Sequence, residues 1–375
     1  MKRFDVAIAG GGLIGGALAL ELARAGLKVG LFEAQELGRE ASWAGAGILS
    51  PAPENTSMLP MVALGQASMA LYPAFVREVE ELSGQSVGFR PKGTLETFSS
   101  RHAVEELSTI VALHHGLGLR AEPLSGEDAR KLEPAIREDV EAAVLRPEEG
   151  SVDNRALTPA VMAAARRSGV EIFADAAVKA LRREGSRCVG LSLKKEAVDA
   201  KFTVIAAGCF STEIQGAAPY APVRPAKGQM VALRAAGVSL ERVVWSENVY
   251  LVPRNDGRIL AGATVEYVGF ERTPTAGGLA KLLAAAIEVV PGLAGAKIEE
   301  HWAGLRPDTP DHLPILGPTD LEGLLMATGH FRSGILLAPI TAVAMREWIT
   351  LERVSVDWGR FSPMRFAGAG RAAKN

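Results

Sequence analysis

The stretch from Phe4 to Glu33, FDVAIAGGGLIGGALALELARAGLKVGLFE, constrains this chain more than any other. Its first residues are short, apolar and bounded by glycine, the pattern of a buried strand. Gly10, Gly12 and Gly15 follow in the spacing G-x-G-x-x-G. An alanine- and leucine-rich helix is expected over 13–24, stopping at Gly26, and a second buried strand over 27–32 ends at Glu33. In this order each glycine has a task. Gly10 permits the tight turn, Gly12 lets backbone approach a pyrophosphate, and Gly15 lets helix and sheet pack closely. The helix N-terminus offers unpaired N–H groups and partial positive charge to phosphates. Glu33 can accept both hydroxyl hydrogens of a ribose, and an acid there argues against a 2′-phosphate and so against NADP. Strand, helix, second strand and acid together are the context the motif needs to signify dinucleotide binding.

A start of MKR followed by an apolar run has the outline of a secretory signal, but Asp5 and the dense glycines fit one poorly. With 375 residues the chain is too long for one small core and predicts two domains. A net charge of −2 provides no basic footprint for nucleic acid. Two cysteines, Cys188 and Cys209, make neither a disulfide framework nor a metal site. No apolar run reads as long enough to span a bilayer; the longest, 334–345, is interrupted by Pro339. A soluble cytoplasmic protein is the expectation.

Along the chain, the loop GREASWAGAGILSP has small residues over 41–47, which would let backbone lie against a flat ligand. A helix is expected over 58–82 and a β-rich segment over 89–98. Helices follow near 104–115, 126–132 and 155–168, with strands at 142–146, 170–173, 177–183, 188–194 and 202–206. The last of these ends on Ala206, Ala207 and Gly208, small residues suited to close approach of a ligand. Strands of an antiparallel sheet are expected over 229–233, 243–252 and 258–264, with the turn signal Asn255-Asp256-Gly257 between the last two. A helix over 278–290 precedes HWAGLRPDTPDHLPILGP, which reads as irregular. A strand over 323–328, the turn GHFRSG and a helix over 335–349 complete the reading, and AGAGRAAKN has the look of a frayed tail.

GGGLIGGALALELARAG, Glu33, REASWAGAGIL, VIAAGCFS, GLRPDTPDHLPILGP and GHFRSGILLAP together resemble the D-amino-acid-oxidase-like family of FAD-dependent oxidoreductases, from Phe4 to about Ile349. The likeness implies an α/β fold. A Rossmann-like FAD-binding domain would be built from residues 1–85, 148–222 and 300–365. An antiparallel-sheet (α+β) substrate domain would be inserted as 86–147 and 223–299, with a tail at 366–375. It implies noncovalent FAD. Ile14 and Gly15 would lie at the pyrophosphate, Glu33 and Ala34 at the ribose, and Ala41, Ser42, Ala46, Gly47 and Ile48 along the phosphate and ring. Val178 would meet the adenine end. His330, Phe331, Arg332, Ser333, Gly334, Ile335 and Leu336 would wrap the isoalloxazine. The helix after Gly334 would aim its positive end at the flavin's pyrimidine side, where charge develops. Trp43 departs from the small residues usual in its loop.

The resemblance also places Tyr250, Arg306 and Arg332 at the substrate, with Tyr267 a rival to Tyr250. An α-amino acid must be held by its carboxylate, and arginine does this with a planar fork that lysine lacks. The cofactor carries the redox step, so no side-chain nucleophile or catalytic base is expected. The implied reaction is oxidative deamination of glycine, with sarcosine and D-alanine as further substrates, hydride passing to flavin and O2 being reduced to H2O2. The iminoacetate formed would serve thiamine thiazole synthesis. A D-amino-acid or sarcosine oxidase or dehydrogenase is the alternative. No cysteine follows Cys209 to carry covalent flavin as in monomeric sarcosine oxidases. A tRNA-modifying flavoprotein would need a basic stretch, and a non-catalytic nucleotide-binding module would not need two arginines near the flavin loop. Relatives imply a homo-oligomer such as a tetramer.

Overall fold

The computed structural model describes residues 2–53 and 55–367, so most of the expected tail lies outside them. The strand Lys2–Ala9 is central to one sheet. It runs parallel to Val29–Phe32 on one side and to Ala197–Ile205 on the other. Glu171–Phe173 extends the sheet beyond the first neighbour and Leu324–Thr328 beyond the second, both parallel. Val29–Phe32 is buried at every residue, as a strand covered on both faces must be. Ile315–Pro318 adds an antiparallel edge, and Val178–Glu184 with Arg187–Leu193 forms a meander onto Ala197–Ile205.

Helix Leu13–Arg24 connects the two leading strands and packs against helices Asn154–Arg167 and Gly334–Leu351. Leu18, Leu22, Val161 and Leu337 are fully buried in that shared core. Asp153 caps its helix by accepting from the Arg155 and Ala156 N–H groups at 3.0 and 3.3 Å. At the glycine motif, Gly10 has φ +115°, and a Cβ at Gly15 would lie 2.0 Å from the Gly10 carbonyl oxygen. Helix and turn touch there through bare backbone.

A second sheet has the order Lys297–Asp308, Arg224–Arg234, Ile259–Gly262, Tyr250–Pro253, Val243–Trp245, Thr94–Phe98, Ala142–Arg146 and Glu122–Ser125. All its pairings are antiparallel except that of Val243–Trp245 with Thr94–Phe98.

Four expectations are corrected. The region 243–252 is two strands joined by a turn, closed by the Ser246 N–H donating to the Val249 carbonyl at 2.9 Å. The stretch read as irregular holds two strands, Lys297–Asp308 and Ile315–Pro318. Its prolines hide the first of these. Pro307 lies opposite Pro225 in the ladder, so two missing N–H groups fall at one position rather than interrupting it at two. Because that strand belongs to the second sheet, the expected domain boundary at 300 cuts through it. Finally, Thr56–Ser83 and Gly334–Leu351 do have the length and hydropathy of membrane spans, with mean values of 1.4 and 1.3. The latter is 61% buried in the protein core, where an apolar helix also belongs.

The second sheet meets the short helix Ala41–Ala44 at Gly304, where a Cβ would lie 2.2 Å from the Cβ of Ala44. Gly304→Ala should therefore destabilise the protein by about 1–3 kcal/mol through overpacking. Chemical denaturation reads this, and an unchanged midpoint would show that the contact can relax freely.

Candidate active site

A cavity of about 430 Å³ runs between the sheets. At one end it is walled by Gly10, Gly12, Ile14, Glu33, Ala34 and Val178, at the other by Tyr250, Arg306 and Arg332. Ala41, Ser42, Ala46, Gly47, Ile48, Ala207 and Gly208 line it between, as does the run His330, Phe331, Arg332, Ser333, Gly334, Ile335 and Leu336. Every expected site residue but one thus borders a single space. The exception is Gly15, which is buried against Gly10 and does not line the cavity; its part is the helix–turn contact.

Glu33 stands at the end of its strand, beyond Phe32. Its Oε2 accepts from the Gly11 N–H at 2.7 Å and its Oε1 from the Gln35 N–H at 3.0 Å. A carboxylate has about four lone-pair sites, so capacity remains for ribose hydroxyls. The Leu13 N–H at the helix start donates to Ser42 Oγ at 2.9 Å, tying the small-residue loop to the glycine motif. Arg254 and Asn154, which the sequence reading passed over, brace that loop from behind. Arg254 donates to the Ala46 carbonyl and to Asn154 Oδ1, both at 2.9 Å. Asn154 in turn donates to the Ser42 and Trp43 carbonyls at 2.8 and 3.0 Å. Burial lowers the Arg254 pKa to about 10. Trp43 does not line the cavity. Its ring turns away to meet Trp302 edge-on at 6.0 Å, with the Arg155 guanidinium 3.7 Å over it. An indole is tolerated in a loop of small residues because it faces the other way.

At the opposite end, Arg306 extends from the strand Lys297–Asp308, where it pairs with Ala226. Its guanidinium lies over Gly228, where a Cβ would come within 2.2 Å of Nη1, and Nη1 donates to the Thr264 carbonyl at 3.1 Å. The carboxylates that its sequence neighbourhood offers are engaged elsewhere. Asp308 accepts from Arg224, Tyr267 and His312, and Asp311 from Arg365. Among the described residues no carboxylate lies within ion-pair distance of Arg306.

The Tyr250 ring lies over Gly262, a Cβ there falling 2.7 Å from its Oη, and Tyr250 packs edge-on to Trp245 at 5.2 Å. Burial raises the Tyr250 hydroxyl pKa while Arg306 beside it pulls it back. Tyr267 is half exposed, bonded to Asp308 and absent from the cavity wall, so Tyr250 is the tyrosine that faces it. Arg332 projects into the cavity above the Phe331 ring, and its partial desolvation lowers its pKa. His330 is buried, with Nε2 3.1 Å from Thr341 Oγ1, and desolvation lowers its pKa to about 3. It is a neutral ring that fixes the loop to the following helix. Met230, Trp245 and Cys209 also line the cavity. The first two lay in strands with no motif to mark them. Cys209 lies in VIAAGCFS, which reads as a place of close ligand approach through its small residues rather than through the thiol.

Residues 5–348 match the DAO family of FAD dependent oxidoreductases. The chain belongs to that family. It is 37% identical over 371 residues to the bifunctional protein ThiO/ThiG of Synechocystis sp., covering 96% of this chain and 54% of that one. It thus spans about half the length of the curated bifunctional relatives it matches. It is 33% identical over 370 residues to the glycine oxidase of Geobacillus kaustophilus, covering 98% of both. The crystal structure of glycine oxidase from that organism superposes with a TM-score of 0.92 over 97% of this chain and 99% of that one, at 33% identity.

The protein is therefore an FAD-dependent enzyme, and the cavity fits the cofactor. The bare backbone at Gly12 would meet only Ser42 Oγ if it carried a Cβ, so one face of the turn is open to the cavity. The N-termini of the helices Leu13–Arg24 and Gly334–Leu351 both reach the cavity wall, supplying positive potential at two separate points. Glu33 supplies an acid between turn and loop.

Glu33→Ala should weaken FAD binding by about 1.5–3 kcal/mol, the range for hydrogen bonds to a charged group. Flavin retention measured by fluorescence on dilution tests this; unaltered affinity would remove Glu33 from the cofactor site.

His330 gives a pH signature. Its folded pKa of about 3 lies below the ordinary 6.5. As pH falls below 6.5 the unfolded chain takes up a proton that the folded protein refuses, so stability drops by about 1.4 kcal/mol per pH unit. The His330→Gln variant should lose melting temperature less steeply between pH 6.5 and 4 than the parent protein. Parallel curves would mean that His330 protonates without penalty.

Proposed function

We propose that the protein oxidises a small amino acid, glycine foremost, to the corresponding imine. Sarcosine and D-alanine are secondary substrates, and O2, reduced to H2O2, is the final electron acceptor. Bound FAD would supply the hydride-accepting centre. The observation that carries the reading is Arg306. Its fork is spread flat over Gly228 at the cavity end remote from Glu33, with Tyr250 beside it and no carboxylate partner among the described residues. A guanidinium so placed can take a carboxylate in two parallel hydrogen bonds. The Tyr250 hydroxyl, kept protonated by burial, donates to Met230 Sδ at 3.4 Å and can turn from that weak acceptor to donate a third. Arg332 adds positive charge on the same side. Holding the carboxylate fixes the Cα–H bond, and positioning of this kind removes much of the barrier.

Trp245, Tyr250 and Met230 crowd this end of the cavity, which supports a substrate with little or no side chain. Among the relatives, proteins named glycine oxidase agree with that choice, and those named ThiO/ThiG support delivery of the imine to thiamine thiazole synthesis. The flavin is proposed to be noncovalent. Cys209 borders the cavity, but burial pushes its thiol up to about 12, so it is no nucleophile at neutral pH. A cytoplasmic location and a homo-oligomeric state complete the reading, with no nucleic-acid partner.

Anaerobic addition of single amino acids to the purified yellow protein tests the substrate: glycine should bleach the flavin fastest, and bleaching only by a large or carboxylate-free amine would refute the assignment. Arg306→Leu should lower kcat/KM for glycine by about tenfold to a hundredfold or more, since charged hydrogen bonds contribute roughly 1.5–3 kcal/mol each. Arg306→Lys should rescue only in part, because a point charge does not reproduce the fork. Acid precipitation should release equal FAD from both variants and the parent. Loss of flavin or of folding in Arg306→Leu would make the arginine structural, and Arg332 would become the leading anchor.

A further inference from the structure

We propose that Glu266 is a positioning residue for Arg306, acting through Thr264, with Lys227 and Gln229 as its foundation. The inference rests on Arg306 as the carboxylate anchor. Two contacts orient the Arg306 guanidinium, the 3.1 Å bond to the Thr264 carbonyl and, on its cavity side, the Tyr250 hydroxyl. Thr264 follows the end of the strand Ile259–Gly262, where backbone pairing with Arg224–Arg234 lapses until the bridge between Lys227 and Glu266. Something else must hold it still.

Glu266 does so. Its Oε1 accepts from Thr264 Oγ1 at 2.6 Å and from Gln229 Nε2 at 2.7 Å, and its Oε2 lies 3.3 Å from Lys227 Nζ. The Gln229 backbone N–H donates to Thr264 Oγ1 at 3.0 Å. Lys227 and Glu266 also exchange both backbone hydrogen bonds at 2.9 Å. Gln229 Oε1 and Nε2 hold Thr275 beyond the loop at 2.8 and 3.0 Å.

The arrangement is a closed frame. Lys227, Gly228 and Gln229 are consecutive on one strand. Gly228 lies beneath the guanidinium, while its two neighbours grip the carboxylate that grips Thr264, whose carbonyl returns to the guanidinium. Lys227 is only 2% exposed, and a buried lysine is retained where it is paired. Burial opposes ionisation of Glu266, yet the bonds from Thr264, Gln229 and Lys227 outweigh it and hold the carboxyl below its ordinary pKa. Glu266 is therefore ionised at neutral pH, where a substrate carboxylate is charged as well. Of the frame only Gly228 and Arg306 line the cavity, so Glu266 does not touch substrate.

The test uses the FAD-loaded protein with acetate as a bare carboxylate probe, its binding followed by the flavin absorbance, alongside kcat and KM for glycine. Glu266→Ala should weaken acetate binding and raise the glycine KM by about tenfold, the effect of displacing one charged hydrogen-bond partner, with FAD content unchanged. Glu266→Gln, which keeps an acceptor for Thr264, should recover most of this. If Glu266→Ala does not fold because Lys227 is left buried and unpaired, the Lys227→Met/Glu266→Leu double variant removes both charges. It should show the same weakening. In an Arg306→Leu background, Glu266→Ala should change acetate binding by less than about twofold, because the two act as one unit. Additive losses, or acetate binding unaffected by Glu266→Ala while Arg306→Leu abolishes it, would overturn the inference alone. Acetate binding unaffected by Arg306→Leu would overturn the anchor and the inference together.

Discussion

The cavity depends on a stretch of bare backbone, residues 42–47, being held from behind. A loop that must lie against a flat ligand cannot fix itself with large side chains on the ligand side. Its carbonyls are instead taken by donors from elsewhere. Asn154 takes those of Ser42 and Trp43, Trp302 that of Ala44 and Arg254 that of Ala46. The donors come from the helix following Asp153, from the edge strand Lys297–Asp308 and from Arg254 just past the strand Tyr250–Pro253, so one bracket ties the loop to that helix and to the second sheet. Arg254 is nearly inaccessible and forms its bonds to carbonyl oxygens and to Asn154, with Asp153 4.0 Å away. Leaving its partners unmet would cost more than the bonds contribute, which makes such a network all-or-none.

With that loop fixed, the electrostatics of the two ends separate. The Glu33 end combines a helix N-terminus with a carboxylate, suited to phosphate and ribose in turn. The far end has two arginines and the start of helix Gly334–Leu351, suited to a substrate anion and to negative charge arriving on a bound ring. The buried His330 is neutral, and the Tyr250 hydroxyl is held protonated.

The nucleotide half was legible in the sequence because its information is local. Lys2 through Glu33 forms a strand, a helix and a strand in consecutive order, and Gly15 packs on Gly10 within that unit. The substrate half was legible only by likeness, as its contacts join residues far apart. Arg254 meets Ala46 across 208 positions, and Arg306 meets Thr264 across 42. No periodicity announces such pairs. The strand Lys297–Asp308 was hidden by proline, whose usual meaning as a ladder breaker fails where a second proline stands opposite. Met230 and Trp245 carry ordinary strand chemistry, and only the sheet's facing decides that they border the cavity.

The space for a substrate is made in good part by absent side chains. Gly228, Gly262 and Gly304 lie on three neighbouring strands, with Gly228 paired to Gly304 and Met230 to Gly262. Each accommodates a different intruder: the Arg306 guanidinium, the Tyr250 ring and the Ala44 methyl group. Glycine within a strand weakens it, by entropy and by lost packing. Three in one patch are tolerated because two long side chains lie flat on the exposed backbone and the Ala44 methyl group fills the space at the third, restoring the contacts. The same flattening presents the arginine fork and the tyrosine hydroxyl side by side rather than end-on. A sheet with ordinary residues at these positions would lift both groups away from the strand surface and fill the cavity from below.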